Sequence, residues 1–207
     1  MLSRLTLPKI ALLVGGVAAV AWLLRFVIRH ERERNKRVEA SWREVAAQIG
    51  GEYVAPTGSW LKRTARRVEV VIEGNKVNLD NYTVSTGNTH VTYTRARVAT
   101  TATNRLHVYR EHFLSGMAKA LGAQDVEVGD AVYDERFQIK SDDEAWARRV
   151  LAAPIRKQHL EDAKLQLRVH KGWVESFAEG LEQDVDTLVQ RMRLTAALAF
   201  SIEQQPV

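Results

Sequence analysis

Polar and apolar positions change register twice along the chain. Between Lys9 and Arg25 lie fifteen uncharged, mostly aliphatic residues, continued by Phe26-Val27-Ile28. At about 1.5 Å per residue, positions 10–28 extend roughly 28 Å, close to the thickness of a bilayer's hydrocarbon layer. Lys9 and Arg25 then snorkel to the two head-group layers and Trp22 sits near an interface, so the pattern predicts a membrane-spanning helix. The charge-dense stretch Arg29 to Arg37 that follows sets it apart from a buried core helix. A cleaved signal is the rival reading, with Arg4 and Lys9 as its basic start and Ala19-Val20-Ala21 as its small-x-small site; the apolar run continues past that site, as an anchor's does. No Gly or Pro then appears until Gly50-Gly51, so the helix is expected to run on to there. Val38, Trp42, Val45, Ala46 and Ile49 form one apolar stripe on it, facing the domain or a second copy of the helix.

From Tyr53 to Arg110 the period becomes two and β-branched residues accumulate, which predicts a sheet. Val68, Val70 and Ile72 alternate with Glu69 and Glu73, and Gly74-Asn75 supplies the positive-φ residues of a hairpin that returns through Val77 and Leu79. Val91 to Val98 and Leu106 to Arg110 follow as further strands of a meander, with Arg95, Arg97, Arg105 and Arg110 on a solvated face or forming an anion patch. A short helix is expected over 113–121 and a strand over Tyr133 to Lys140. Ser141-Asp-Asp-Glu144 reads as a capping box opening a helix, which Pro154 either kinks or succeeds by opening the next one. Leu165 to Val169 and Trp173 to Phe177 make a second hairpin about Lys171-Gly172, and a last helix starts near Glu182 with Asp184 and Asp186 at its positive end. The expected fold is α+β: an N-terminal transmembrane helix, then an antiparallel meander sheet covered by helices near 142–163 and 183–201. Residues 1–37 form the transmembrane and basic juxtamembrane part, and 38–207 the soluble domain.

Charge sharpens this division. Of the formal net charge of +5, residues 1–37 carry eight Lys or Arg against Glu31 and Glu33, leaving 22 basic and 23 acidic residues beyond. A nucleic-acid binder would carry its positive field on the folded domain, so nucleic acid is not an expected partner. The basic excess beyond the apolar run suits anionic lipid head groups, and the positive-inside rule places the domain in the cytoplasm, at the inner membrane. Cysteine is absent, which excludes thiolate chemistry and disulfides.

Chemistry-bearing motifs do not converge. His107 and His112 are five apart, not four, and His107 falls in a period-two strand, so the pair is not a zinc helix. The acids of 125–130, 134–135 and 142–144 fit no calcium loop, and no phosphate-binding glycine loop or Gly-x-Ser-x-Gly elbow is present. No catalytic, cofactor-binding or metal residue is assigned, and no cofactor is expected.

Tyr133-Asp-Glu-Arg-Phe-Gln-Ile-Lys-Ser-Asp142, with Ala145, Ala147, Leu151 and Leu160 after it, resembles a family of uncharacterised bacterial membrane-anchored proteins, a domain of unknown function. The resemblance extends through the strand pair to Phe177 and implies an α+β fold at a membrane; it implies no activity. The expectation is a single-pass bacterial membrane protein whose domain is non-catalytic and serves interaction or scaffolding, with a protein partner or homo-oligomer. The alternatives are a membrane-tethered hydrolase, joining His107 or His112 to the acids of 125–144, and a periplasmic lipid-binding domain.

Overall fold

The computed structural model of the 207-residue chain describes residues 7–58, 64–87, 89–110 and 124–205. Its strands are β1 (Glu52–Val54), β2 (Arg67–Ile72), β3 (Asn75–Thr86), β4 (Thr89–Ala99), β5 (Leu106–Tyr109), β6 (Gln124–Val126), β7 (Gln138–Ser141), β8 (Gln166–His170) and β9 (Trp173–Glu179). Its helices are α1 (Leu7–Ile49), α2 (Ala131–Arg136), α3 (Glu144–Val150), α4 (Ala153–Glu161) and α5 (Val185–Glu203). By internal contacts the chain divides after Ala40 into two units.

In the N-terminal unit the described side chains of Val20, Trp22, Leu23, Leu24, Phe26, Val27 and Ile28 are half to two-thirds exposed. Among the described residues no helix is long and apolar enough to cross a membrane. This corrects the membrane-spanning helix expected over 10–28 and the single-pass character built on it. Arg25 interrupts the described apolar residues, and Arg29, Arg32, Arg34, Lys36 and Arg37 follow closely on the same helix.

In the second unit the strands form one nine-stranded sheet, antiparallel throughout, in the order β1-β2-β3-β4-β9-β8-β5-β7-β6. The expected meander is therefore correct only for β1 to β4. The late hairpin β8–β9 inserts between β4 and β5, so β4 pairs with β9 and β5 with β8. That hairpin turns through Lys171 and Gly172, at φ of 50° and 77°, as its sequence predicts. The β2–β3 turn lies one residue earlier than predicted: Glu73 and Gly74 hold the positive φ values, and Asn75 already pairs with Ile72. Both turns match the right-handed twist of their flanking strands.

Alternation gives the sheet two unlike faces. Val68, Val70, Val77, Leu79, Ala96, Val98, Leu106, Val108, Leu167, Val169 and Val174 are buried on one of them. Helix α5, with Leu188, Met192, Ala196 and Ala199 fully buried, lies across β3, β4 and β9 on that side. Ser176 of β9 and Thr195 of α5 share a buried hydroxyl–hydroxyl bond of 2.6 Å, fixing the helix against the sheet at one polar point. Trp42 of α1 is fully buried, and its indole N–H donates to the Glu182 carbonyl at 3.2 Å. The helix stops at Gly50, whose φ of 67° suits only glycine at low cost, and the Gly51 N–H closes it onto the Ala46 carbonyl at 2.8 Å.

Two further expectations are corrected. The segment expected as a strand from Tyr133 begins as helix α2, because Asp130 caps it by accepting from the Tyr133 N–H; the strand β7 starts only at Gln138. Helix α3 is capped by Asp143, which accepts from the Trp146 N–H at 2.8 Å, two residues beyond the expected Ser141 cap. Ser141 instead ends β7, and its hydroxyl donates to the carbonyl of Arg105 at 2.8 Å. Pro154 opens α4, and α5 begins one residue after Asp184, its capping residue. The short helix expected over 113–121 lies outside the described residues.

Candidate functional site

The face of the sheet opposite α5 is unusual in being charged and aromatic rather than apolar. Strand registry sets side chains directly beside one another in rows. One row runs Glu69, Asn78, Arg97, Glu175, Arg168, His107, Lys140, Asp125 from β2 across to β6. The next contains Arg67, Asp80, Arg95, Phe177 and Gln166, and a third begins Tyr82, Tyr93, Glu179.

Glu175 is the hub. Its side chain is 6% exposed and accepts from Arg95 Nη1 at 2.9 Å and from Arg168 Nε at 2.9 Å, with Arg168 Nη2 on the same oxygen. Asp80 takes the Arg95 fork on both oxygens, each at 2.9 Å, and Arg97 Nη2 at 3.2 Å. Each guanidinium also lies over an aromatic ring, at 4.6 Å for Arg95 on Tyr82, 4.6 Å for Arg97 on Trp173 and 4.8 Å for Arg168 on Phe177. Arginine suits this arrangement because its flat ion stacks on a ring while its edge forks a carboxylate. Tyr82 stacks on Tyr93 at 5.3 Å, and Tyr93 meets Phe177 edge-on.

His107 and Tyr109 stand two residues apart on the same face, ring centroids 4.7 Å apart, both nearly without exposure. His107 Nε2 lies 3.2 Å from the Gln166 side-chain amide, a hydrogen bond that fixes the ring's orientation within the face. Burial pushes the His107 imidazole down to about 4, the Gln166 bond opposing it, and burial raises the Tyr109 phenol. The ring is neutral at pH 7 and the phenol keeps its proton.

Of the residues weighed from sequence, Arg95 and Arg97 belong to this network, whereas Arg105 is held by its backbone N–H to Asp142 and Arg110 is exposed. The anion-patch reading is not favoured, since Arg95, Arg97 and Arg168 each have a carboxylate partner. The acids of 125–144 do not converge with His107: Asp125 pairs with Lys140 at 2.7 Å, and Lys140 stands between it and His107 in the row. Asp130 and Asp143 cap helices, and Asp134 accepts the backbone N–H groups of Val128, Gly129 and Asp130. His112 and Trp60 lie outside the described residues. Among the described residues no three His, Asp or Glu side chains gather as a metal-holding group.

Tyr133, Phe137 and His159 form a separate, fully buried ring cluster. The Tyr133 hydroxyl donates to His159 Nδ1 at 2.7 Å, and His159 Nε2 donates to the Leu165 carbonyl at 2.8 Å. Every polar atom of the two side chains is thereby satisfied, which marks a structural role. A cleft of about 410 Å³ opens between α4 and α5, floored by Leu165 and Leu194, and its nearly buried Arg191 is already paired with Asp162 at 2.7 Å. Sequence reasoning missed Asp80, Glu175, Arg168, Gln166 and Tyr109 as members of one network. The only local signal is the polar side of each alternating strand, and no single strand says which others it will lie beside.

No family model matches the chain and no curated protein matches it. Among solved structures, the fold is similar to that of the mycobacterial trehalose monomycolate transport factor A, with a TM-score of 0.55 at 12% identity over 82% of this chain and 96% of that one. At that identity the likeness is one of fold.

Proposed function

We propose that this protein is a non-catalytic binding factor in lipid handling, associated with an anionic lipid surface through the N-terminal unit. The observation that carries the reading is the juxtaposition on α1 of exposed aromatic and basic residues. Trp22, Phe26 and His30 stack in succession, with centroids 5.9 and 6.5 Å apart, and beside them Arg25, Arg29, Arg32 and Lys36 recur at i, i+4, i+7 and i+11. Aromatic rings seat at the head-group level and a basic stripe meets anionic lipid, the signature of a helix lying in the interface rather than crossing it. Glu31 and Glu33, the nearby acids, are engaged by Arg34 and Lys36.

Two further observations support the reading. Asp80 and Glu175 of the sheet face are each shared between two guanidinium groups, which suits a rigid recognition surface better than proton transfer. The structural neighbour is a transport factor for trehalose monomycolate, and a lipid-related role here agrees with that.

Co-sedimentation with phosphatidylglycerol vesicles and with phosphatidylcholine vesicles tests this. Binding is expected to the anionic vesicles only and to fall at high salt. Arg25→Gln, Arg29→Gln and Arg32→Gln each cost on the order of 1 kcal/mol of binding. Equal binding to both vesicle types, or none, would sink the proposal.

A further inference from the structure

We infer that the cleft between α4 and α5 is a site for a single acyl chain with an anionic head, either a carboxylate or a phosphate. The inference rests on the lipid-handling reading above and adds a soluble ligand and the place that holds it. Pro154, Lys157, Gln158 and Glu161 of α4 line the cleft at i, i+3, i+4 and i+7, and Thr187, Gln190, Arg191 and Leu194 of α5 line it at the same spacing. Each helix thus gives the cleft one stripe about two turns long. The volume of about 410 Å³ falls within the roughly 300–1,000 Å³ of small-molecule sites.

Three of the lining residues are nearly buried, Leu165, Leu194 and Arg191, so the deepest part of the cleft sets two leucines beside one guanidinium. That makeup takes a hydrocarbon next to an anionic oxygen. Exposed residues continue the apolar surface outward through the Pro154 ring and the aliphatic stems of Lys157, Gln158 and Gln190. Arg191 Nε donates to Asp162 at 2.7 Å and Nη2 lies 3.4 Å from Glu182, which leaves Nη1 without a partner among the described residues. Unlike the enclosed, unpartnered nitrogens of Arg97 and His107, this one is not shut away and opens onto the cleft that Arg191 lines.

The charge of the lining agrees. Lys157 and Arg193 are exposed and stand in no ion pair among the described residues, against Glu161 as the one lining acid that is also unpaired, since Asp162 is committed to Arg191. Beyond position 37 the chain has 22 basic and 23 acidic residues, so this positive excess belongs to the cleft and not to the domain at large. One negative head group compensates it, whereas an ammonium head would add to it.

Titration calorimetry of the full chain with decanoate, with decyl phosphate and with decyltrimethylammonium, each below its critical micelle concentration, tests the site. Saturable binding of an anion is expected and none of the cation; decanoate alone identifies a fatty acid as the ligand, and decyl phosphate alone a phosphate-headed lipid. Gln190→Trp, at an exposed position, fills the cleft with an indole and is expected to abolish that binding. Lys157→Gln combined with Arg193→Gln, which removes two exposed cations and no packing, is expected to weaken it about tenfold and to leave the melting temperature unchanged. Absence of saturable anion binding, equal affinity for the ammonium, or anion affinity untouched by both variants overturns the inference. Vesicle binding that fails while the anion still binds removes the lipid-surface proposal and leaves this site standing; vesicle binding that persists without anion binding removes the site alone.

Discussion

Lys171 and Glu73 each hold a left-handed backbone, at φ of 50° and 51°, at the first central position of a two-residue hairpin turn. Asparagine tolerates that conformation better than either residue, so Lys171→Asn is expected to stabilise the domain by about 0.5–1 kcal/mol, read from the urea midpoint. Buried titratable residues act with larger leverage. Burial pushes His107 and His159 each down to about 4, whereas in the unfolded chain they titrate near 6.5. Between those values the unfolded state binds more protons than the folded one, so the contribution is complete above pH 6.5 and is lost as pH falls through that window. Each histidine is expected to remove about 2 kcal/mol between pH 6.5 and 5, and His159→Asn to flatten the slope in urea titrations at the two pH values. Glu175 is nearly buried between two arginines, so Glu175→Gln leaves both undercompensated and is expected to cost about 2–4 kcal/mol.

Helix starts in this chain depend on which acid reaches the first turn. Asp143 and not Ser141 caps α3, so Asp143→Ala is expected to cost about 1 kcal/mol by the urea midpoint. The spacing Ser141-x-x-Glu144 matches a capping box, but the Ser141 hydroxyl is committed to the carbonyl of Arg105, the residue before β5. Sequence spacing marks a candidate cap; the competing tertiary partner selects the actual one. The same competition explains α2. Tyr133 and Phe137 alternate like strand residues, yet the Asp130 cap and their burial around His159 impose a helical turn. The stretch Tyr133 to Asp142 thus consists largely of residues that hold α2 and β7 in place.

At the scale of the whole domain, the β8–β9 hairpin is the join. It supplies the partners of both β4 and β5, and its outer face supplies Glu175 and Arg168 to the charged network. A chain ended before Leu165 therefore leaves two strands with an unpaired edge and removes α5 from the core. Such a truncation is expected to lose cooperative thermal unfolding in circular dichroism. Retention of a cooperative melt by the shorter chain would show that β1 to β4 form an independent core.

Read alone, the sequence determined what depends on near neighbours. It determined the run of α1 to the glycines at 50–51, the alternation of β2 to β4, the turn at Lys171-Gly172, the opening of α4 at Pro154 and the amphipathic stripe of α5. These follow from local backbone preference and from periodicity within a single element. Tertiary structure alone decided the strand order and, with it, the candidate site. Any alternating strand pairs acceptably with several others, and the order is settled by which arrangement buries all the apolar faces under the helices at once. Rows such as Arg97, Glu175, Arg168 and His107 come from segments up to 78 positions apart and exist only once β9 and β8 lie between β4 and β5. The apolar run near the N-terminus shows the converse limit. Its hydropathy pattern predicted a span, but among the described residues no helix is long and apolar enough to cross a membrane, and Arg25 and the charges from Arg29 onward break the run.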